Sequence, residues 1–147
     1  MNYKNLQDLI RDVPDFPQKG ISYKDITTLL KDPTGLKDAI GAMLRPFEGV
    51  EVGLVVGIES RGFILATPMA IELGCGFIPV RKPGKLPAET LRLDYDLEYG
   101  TDAVEIHADA IEPGQKILVV DDVLATGGTL AATCRLVEKL GGEIVGI

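Results

Sequence analysis

The stretch "VGLVVGIESRGFILATPMAIELGCGFIPV", Val52 to Val80, decides the fold. It opens on a short, valine-rich apolar run ending at Ile58, which reads as a strand buried on both faces. "ESRGF" follows, and then a largely apolar helix through Leu73 in which Pro68 predicts a kink. "GFIPV" is again short and apolar. Strand, helix and strand with continuous rather than alternating hydrophobicity imply parallel strands covered by helices on both sides.

The pattern returns toward the C-terminus. "QKILVVDD" is a buried-type strand, Leu130, Cys134, Val137 and Leu140 give a helix closed by Gly141 and Gly142, and "EIVGI" reads as one further strand. Upstream, Leu6, Leu9, Ile10 and Val13 recur at helical spacing and predict a short amphipathic helix ended near Pro14. Leu36, Ile40, Met43, Leu44 and Phe47 predict a second helix after "KDPTG". Between them, "DFPQKGISYKDITTLL" fits neither template: Pro17 and Gly20 impose a turn, and Ile21 to Ile26 extend as an irregular arm. Residues 81–103, "RKPGKLPAETLRLDYDLEYGTDA", are charged at their start and show little periodicity, so they form a long excursion with room for a hairpin. "VEIHADAI" alternates like a strand. The expected class is α/β, a mainly parallel, doubly wound sheet flanked by helices, in a single domain over residues 1–147.

Composition narrows the function. Net charge is −7 and the pI is near 4.7, which opposes generic attraction to nucleic acid or anionic membrane. Aromatic residues make up 5% with no Trp, too few for a base-stacking platform. Cys75 and Cys134 stand far apart without metal-ligand spacing, and the N-terminus lacks a basic leader followed by an apolar core. No apolar run approaches a membrane span. A cytoplasmic protein with reduced thiols is the expectation.

Ligands of such sheets sit beyond the carboxyl ends of the strands, where both "GIESRG" and "DDVLATGG" fall. Gly127 and Gly128 let backbone N–H groups curl round an anion at a helix start, with Thr126 and Thr129 as hydroxyl donors. The glycines alone fit a plain helix start capped by Thr equally well. The chain has neither the GxxxxGK[ST] lysine nor GxGxxG, so triphosphate hydrolysis and dinucleotide binding lose ground. Asp121 and Asp122, beside that loop, suit a ligand carrying ribose hydroxyls or a metal close to its phosphate. In an acidic chain, Arg61, Arg81, Lys82 and Lys85 are the only Arg or Lys between Arg45 and Arg92. Positive charge is therefore placed selectively. His107 has no partner at recognisable spacing, and Asp94 and Asp96 read as solvated.

The string "VVDDVLATGGT" resembles the phosphoribosyl-pyrophosphate (PRPP) signature of type I phosphoribosyltransferases. "DFPQKGISYKDIT", "ESRGF", "RKPGKLP" and "LEYG" further resemble, in order, motifs of the adenine phosphoribosyltransferases, so the likeness spans nearly the whole chain. It implies a parallel sheet with a small N-terminal hood, here residues 14–30, and a flexible active-site loop, here 81–103. It implies transfer of the phosphoribosyl group of PRPP to adenine, with release of pyrophosphate. The alternatives are another purine (hypoxanthine, guanine or xanthine) as acceptor, or a PRPP-binding regulator.

By that resemblance, Asp121 and Asp122 hold the ribose hydroxyls while Ala125, Thr126, Gly127, Gly128 and Thr129 wrap the 5′-phosphate. Glu59, Ser60, Arg61 and Gly62 meet the pyrophosphate, and Arg81, Lys82 and Lys85 meet it too or contact a neighbouring subunit. Phe16, Ile21, Arg61 and Val123 meet adenine. Glu98 exchanges a proton with the base and Tyr99 lines the flexible loop. Magnesium held mainly by PRPP and a homodimer are implied in the same way. Family members usually continue beyond a point like Ile147, which would leave a raw sheet edge here.

Overall fold

In the computed structural model, residues 5–97 and 100–147 are described. The chain divides into two compact units, Met1–Glu48 and Gly49–Ile147.

In the N-terminal unit the expected first helix is replaced by a 3-10 turn, Leu6–Leu9, and a strand, β1 (Arg11–Pro14). β1 pairs antiparallel with β2 (Ser22–Asp25), so the arm read as irregular is half of a hairpin. The reason is cross-strand chemistry: Arg11 stands opposite Asp25 and Asp12 opposite Lys24, each pair forming a salt bridge. Four apolar residues at helical spacing could not outweigh that ladder with Pro14 at its end. The hairpin turn is held where the Gly20 N–H donates to Asp15 Oδ1 at 2.7 Å. After α1 (Thr27–Lys31), α2 (Pro33–Leu44) starts as its sequence dictates. The Asp32 carboxylate accepts from the N–H groups of Thr34 and Gly35 at 3.0 and 2.7 Å, and Pro33 occupies the first turn. Ala39 and Ile40 form its buried side, and Leu29 is the buried residue of α1.

In the second unit, β3 (Leu54–Ile58), α3 (Gly62–Leu73) and β4 (Gly76–Val80) realise the strand–helix–strand stretch, with Pro68 inside a continuous helix. β5 (Thr90–Asp96) and β6 (Thr101–His107) pair antiparallel, so the excursion over 81–103 is largely hairpin. β7 (Lys116–Val120), α4 (Gly128–Lys139) and β8 (Glu143–Gly146) follow. Among the described residues the main sheet has the order β4-β3-β7-β8, and every neighbouring pair is parallel. β3 and β7 read as buried apolar runs because they occupy its centre: Val55, Val56, Ile117, Leu118 and Val119 are fully buried. α4 packs on β5 and β6 as well as on the sheet, its Leu136 and Val137 fully buried. A bridge between Arg81 and Glu105 ties the hairpin to the end of β4. Among the described residues no helix is long and apolar enough to cross a membrane.

Candidate active site

Because β3 and β7 are adjacent and parallel, the segments that follow them leave the sheet at the same edge. Glu59 to Gly62 extends β3 and opens α3, while Asp121 to Thr129 links β7 to α4. The two approach closely at Gly62, where a β-carbon would come within 3.0 Å of Asp121 Oδ1 and of the Val120 carbonyl oxygen. Glycine is needed there to let α3 begin against the end of β7.

A cavity of about 230 Å³ opens at this edge, lined by Glu59, Ser60, Arg61, Lys82, Asp121, Asp122, Val123 and Thr129 with Ile58. Two segments and one residue of a third, all chosen from sequence, thus meet on one space. A smaller hollow of about 110 Å³ is lined by Asp121 and by Val123 through Leu130, which includes the whole of Ala125 to Thr129. Gly127 sits at φ +84°, a conformation that side chains resist, and leads into α4 without any side-chain cap. The first-turn amides of α4 therefore face the hollow with their dipole-end charge, an anion site built by backbone.

The two acids differ. The Asp122 carboxylate, 6% exposed, forms a salt bridge with Arg61 Nε at 2.6 Å. Asp121 accepts the Asp122 N–H at 2.9 Å, and its pKa is pushed up to about 6, by burial first and by the charge of Asp122 as well. Near neutrality Asp121 is a carboxylate held in surroundings that disfavour its charge, and it gains most from a nearby cation or developing positive charge.

The cations after β4 are organised by Glu59. Its carboxylate accepts from Arg81 Nε at 2.9 Å, the Lys82 N–H at 3.0 Å and Lys85 Nζ at 2.5 Å. Burial raises the Glu59 pKa, but these donors outweigh it and hold the group below its ordinary value. The Glu59 side chain thus gathers the basic residues that follow β4. Glu105, almost buried, accepts the Gly84 N–H at 3.0 Å and fixes the same loop from β6. Sequence reading passed over Glu105, Tyr95 and Asp102. The last two are direct cross-strand partners on the hairpin, and the alternation of "TLRLDYD" and "TDAVEIH" about Gly100 was the available signal.

Phe16 and Ile21 lie in the N-terminal unit, 51% and 40% exposed, with the Phe16 ring edge-on to Tyr23 at 5.2 Å. Val123 is 53% exposed on the cavity wall. Glu98 and Tyr99 lie outside the described residues. Among the described residues no group of three or more His, Cys, Asp or Glu converges as a metal cage.

Comparison with known proteins identifies the arrangement. The model of the phosphoribosyl transferase domain matches residues 26–147. Adenine phosphoribosyltransferase of Clostridium perfringens is 58% identical over 143 residues, covering 97% of this chain and 83% of the relative. The crystal structure of adenine phosphoribosyltransferase from Rhodothermus marinus superposes with a TM-score of 0.91 at 60% identity, covering 96% of this chain and 80% of that one. The enzyme of Saccharomyces cerevisiae, solved with an iminoaltritol bisphosphate and adenine, gives 0.89 at 38% identity, covering 96% and 85%.

Proposed function

The chain belongs to the phosphoribosyl transferase family, and from that premise we propose how its residues divide the work of an adenine phosphoribosyltransferase. It transfers the phosphoribosyl group of PRPP to adenine, giving AMP and pyrophosphate in purine salvage. The observation that carries the assignment of roles is the pair of neighbouring spaces: Asp121 lines both the hollow at the start of α4 and the larger cavity, which it shares with Asp122, Arg61 and Lys82. PRPP has the matching form, a pentose with an anion at each end.

In this reading the amides of Ala125 to Thr129 take the 5′-phosphate, and Asp121 and Asp122 take the ribose hydroxyls. Arg61 and Lys82, with Arg81 and Lys85 supported by Glu59, draw the pyrophosphate away. Departure of pyrophosphate leaves oxocarbenium character on the sugar, and the raised pKa of Asp121 marks a carboxylate poised to stabilise it. Neither acid need act as nucleophile. Phe16, Ile21 and Val123 keep the base contacts implied by family likeness, and Glu98 and Tyr99 keep the proton-transfer and loop roles. Magnesium, implied by the same likeness, would be held mainly by the oxygens of PRPP and when bound would neutralise the leaving pyrophosphate. The same likeness supports a cytoplasmic homodimer.

The deciding assay supplies PRPP and magnesium with each purine in turn and follows nucleotide formation. AMP from adenine, and no product from guanine, hypoxanthine or xanthine, is the expected result. Product from another purine transfers the assignment to that base, and saturable PRPP binding with no turnover would make the chain a PRPP sensor.

A second expectation concerns Glu59. Glu59→Gln keeps the size of the side chain and removes the charge that gathers Arg81 and Lys85. The KM for PRPP should rise roughly fivefold to tenfold with the KM for adenine unchanged, an effect of misplacing donors rather than deleting them. An unchanged KM for PRPP would make Glu59 a bystander.

A further inference from the structure

A part-buried polar chain joins two residues of the site through two, Tyr95 and Asp102, that have no role so far. Thr129, at the first turn of α4, donates its hydroxyl to Tyr95 Oη at 2.9 Å. Tyr95 in turn donates to Asp102 Oδ2 at 3.1 Å, across the β5–β6 ladder. Lys82 Nζ donates to Tyr95 Oη at 3.1 Å and forms a salt bridge with Asp102. The phenol oxygen thus accepts twice and donates once, which uses its full capacity. The Tyr95 ring lies so close to α4 that a β-carbon at Gly128 would meet its Cδ2 at 3.0 Å, and Lys82 Nζ stands 5.6 Å from the ring centroid.

Both ends of the chain face substrate space. Thr129 borders the hollow read as the 5′-phosphate cradle, and Lys82 and Thr129 both line the larger cavity. Tyr95 and Asp102 themselves line neither. On the reading of this site as a PRPP site, we propose that Tyr95, anchored by Asp102, is a positioning residue that couples the 5′-phosphate cradle to the pyrophosphate-binding cation Lys82.

The physics favours coupling over mere packing. Lys82 is a flexible side chain whose placement would otherwise cost rotamer entropy on every binding event. Burial pulls its pKa down, but Asp102 and Tyr95 outweigh burial and hold it above the ordinary lysine value, so its charge is secure at all working pH. The Lys82 hydrogen bond likewise holds Asp102 below the ordinary carboxylate range, ahead of the opposing effect of burial. Because Thr129 spends its hydroxyl proton on Tyr95, its contribution to a phosphate is its backbone N–H. That amide lies in the first turn of α4, whose start is packed against the Tyr95 ring. A PRPP molecule anchored in the cradle therefore meets Lys82 already aimed at its other end.

The test is Tyr95→Phe, which keeps the ring against Gly128 and removes only the hydroxyl. Calorimetry reads PRPP binding directly, alongside steady-state AMP formation. The expected result is PRPP affinity weakened about tenfold, adenine KM and melting temperature nearly unchanged, and kcat altered less than about threefold. In a Lys82→Gln background the same change should weaken PRPP binding less than about twofold, because the partner through which Tyr95 acts is gone. Equal effects of Tyr95→Phe with and without Lys82, or PRPP affinity unchanged by Tyr95→Phe, would overturn the proposal while leaving the activity assignment standing. A parent protein that takes up no PRPP would remove the functional reading and this coupling together.

Discussion

Asp121→Asn should melt above the parent protein at about pH 8 and form AMP on the order of a thousandfold more slowly. Both effects have one cause. Folding lifts the Asp121 carboxyl from 3.8 to about 6, chiefly through burial and then through the adjacent charge of Asp122. A raised pKa means that the folded chain favours the protonated form. The stability this contributes is fully present below 3.8 and is lost as pH rises through about 6, so a neutral amide helps most where the parent is ionised. The melting advantage should shrink on acidification and vanish near pH 4. The amide oxygen can still accept the Asp122 N–H, so the turn survives the change. Activity should move the other way, because the carboxylate whose charge burdens the fold is the one proposed to stabilise positive character on the sugar. In the parent, kcat/KM for PRPP should fall as pH drops through about 6. Differential melting curves across the pH range, read with AMP formation, check all of it. A variant that melts lower at alkaline pH, or keeps activity within about tenfold, removes Asp121 from this role.

Arg61→Ala should weaken PRPP use on the order of a hundredfold and lower the melting temperature, more at about pH 8 than at about pH 5. Arg61 joins two duties: it lines the cavity, and it neutralises Asp122, a carboxylate nearly removed from water. Without it two adjacent carboxylates face each other with no cation between them. Acidification then relieves the variant, since protonating Asp121 removes the charge repulsion between the pair. Arg61→Lys supplies charge but not the planar Nε donor that meets Asp122 at 2.6 Å, and should recover only part of the loss. A melting loss independent of pH would show that Arg61 supports packing rather than charge.

The second unit was legible because its strands carry their burial in their composition. Val55, Val56 and Ile58, with Ile117 to Val120, sit in the middle of a covered sheet, where aliphatic residues fit, and the turns that follow bear the polar groups. The same logic exposed Asp121, Asp122, Arg61 and the glycine loop, each of which is local in sequence. The N-terminal hairpin was hidden because its stabilising contacts join residues fourteen and twelve positions apart, Arg11 to Asp25 and Asp12 to Lys24. Helical periodicity among Leu6, Leu9, Ile10 and Val13 is read within one short window and misses them. The contacts of the Glu59 carboxylate were hidden, since only folding reveals that Arg81 and Lys85 return across more than twenty residues to it. Tyr95 and Asp102 were invisible for a related reason: a cross-strand pair matters through what lies beyond each member, here Thr129 and Lys82.

The cations of the site already own carboxylate partners: Arg61 has Asp122, Arg81 and Lys85 share Glu59, and Lys82 has Asp102. A lone inorganic phosphate drifting in must exchange one anion for another and gains little attraction by doing so. A donor fastened at its far end arrives as if at high local concentration, and for it the exchange becomes favourable. On the proposed roles, preference for a doubly anionic sugar follows from cations that already hold carboxylate partners, and release of pyrophosphate after transfer should be eased as Asp122, Glu59 and Asp102 regain their cations.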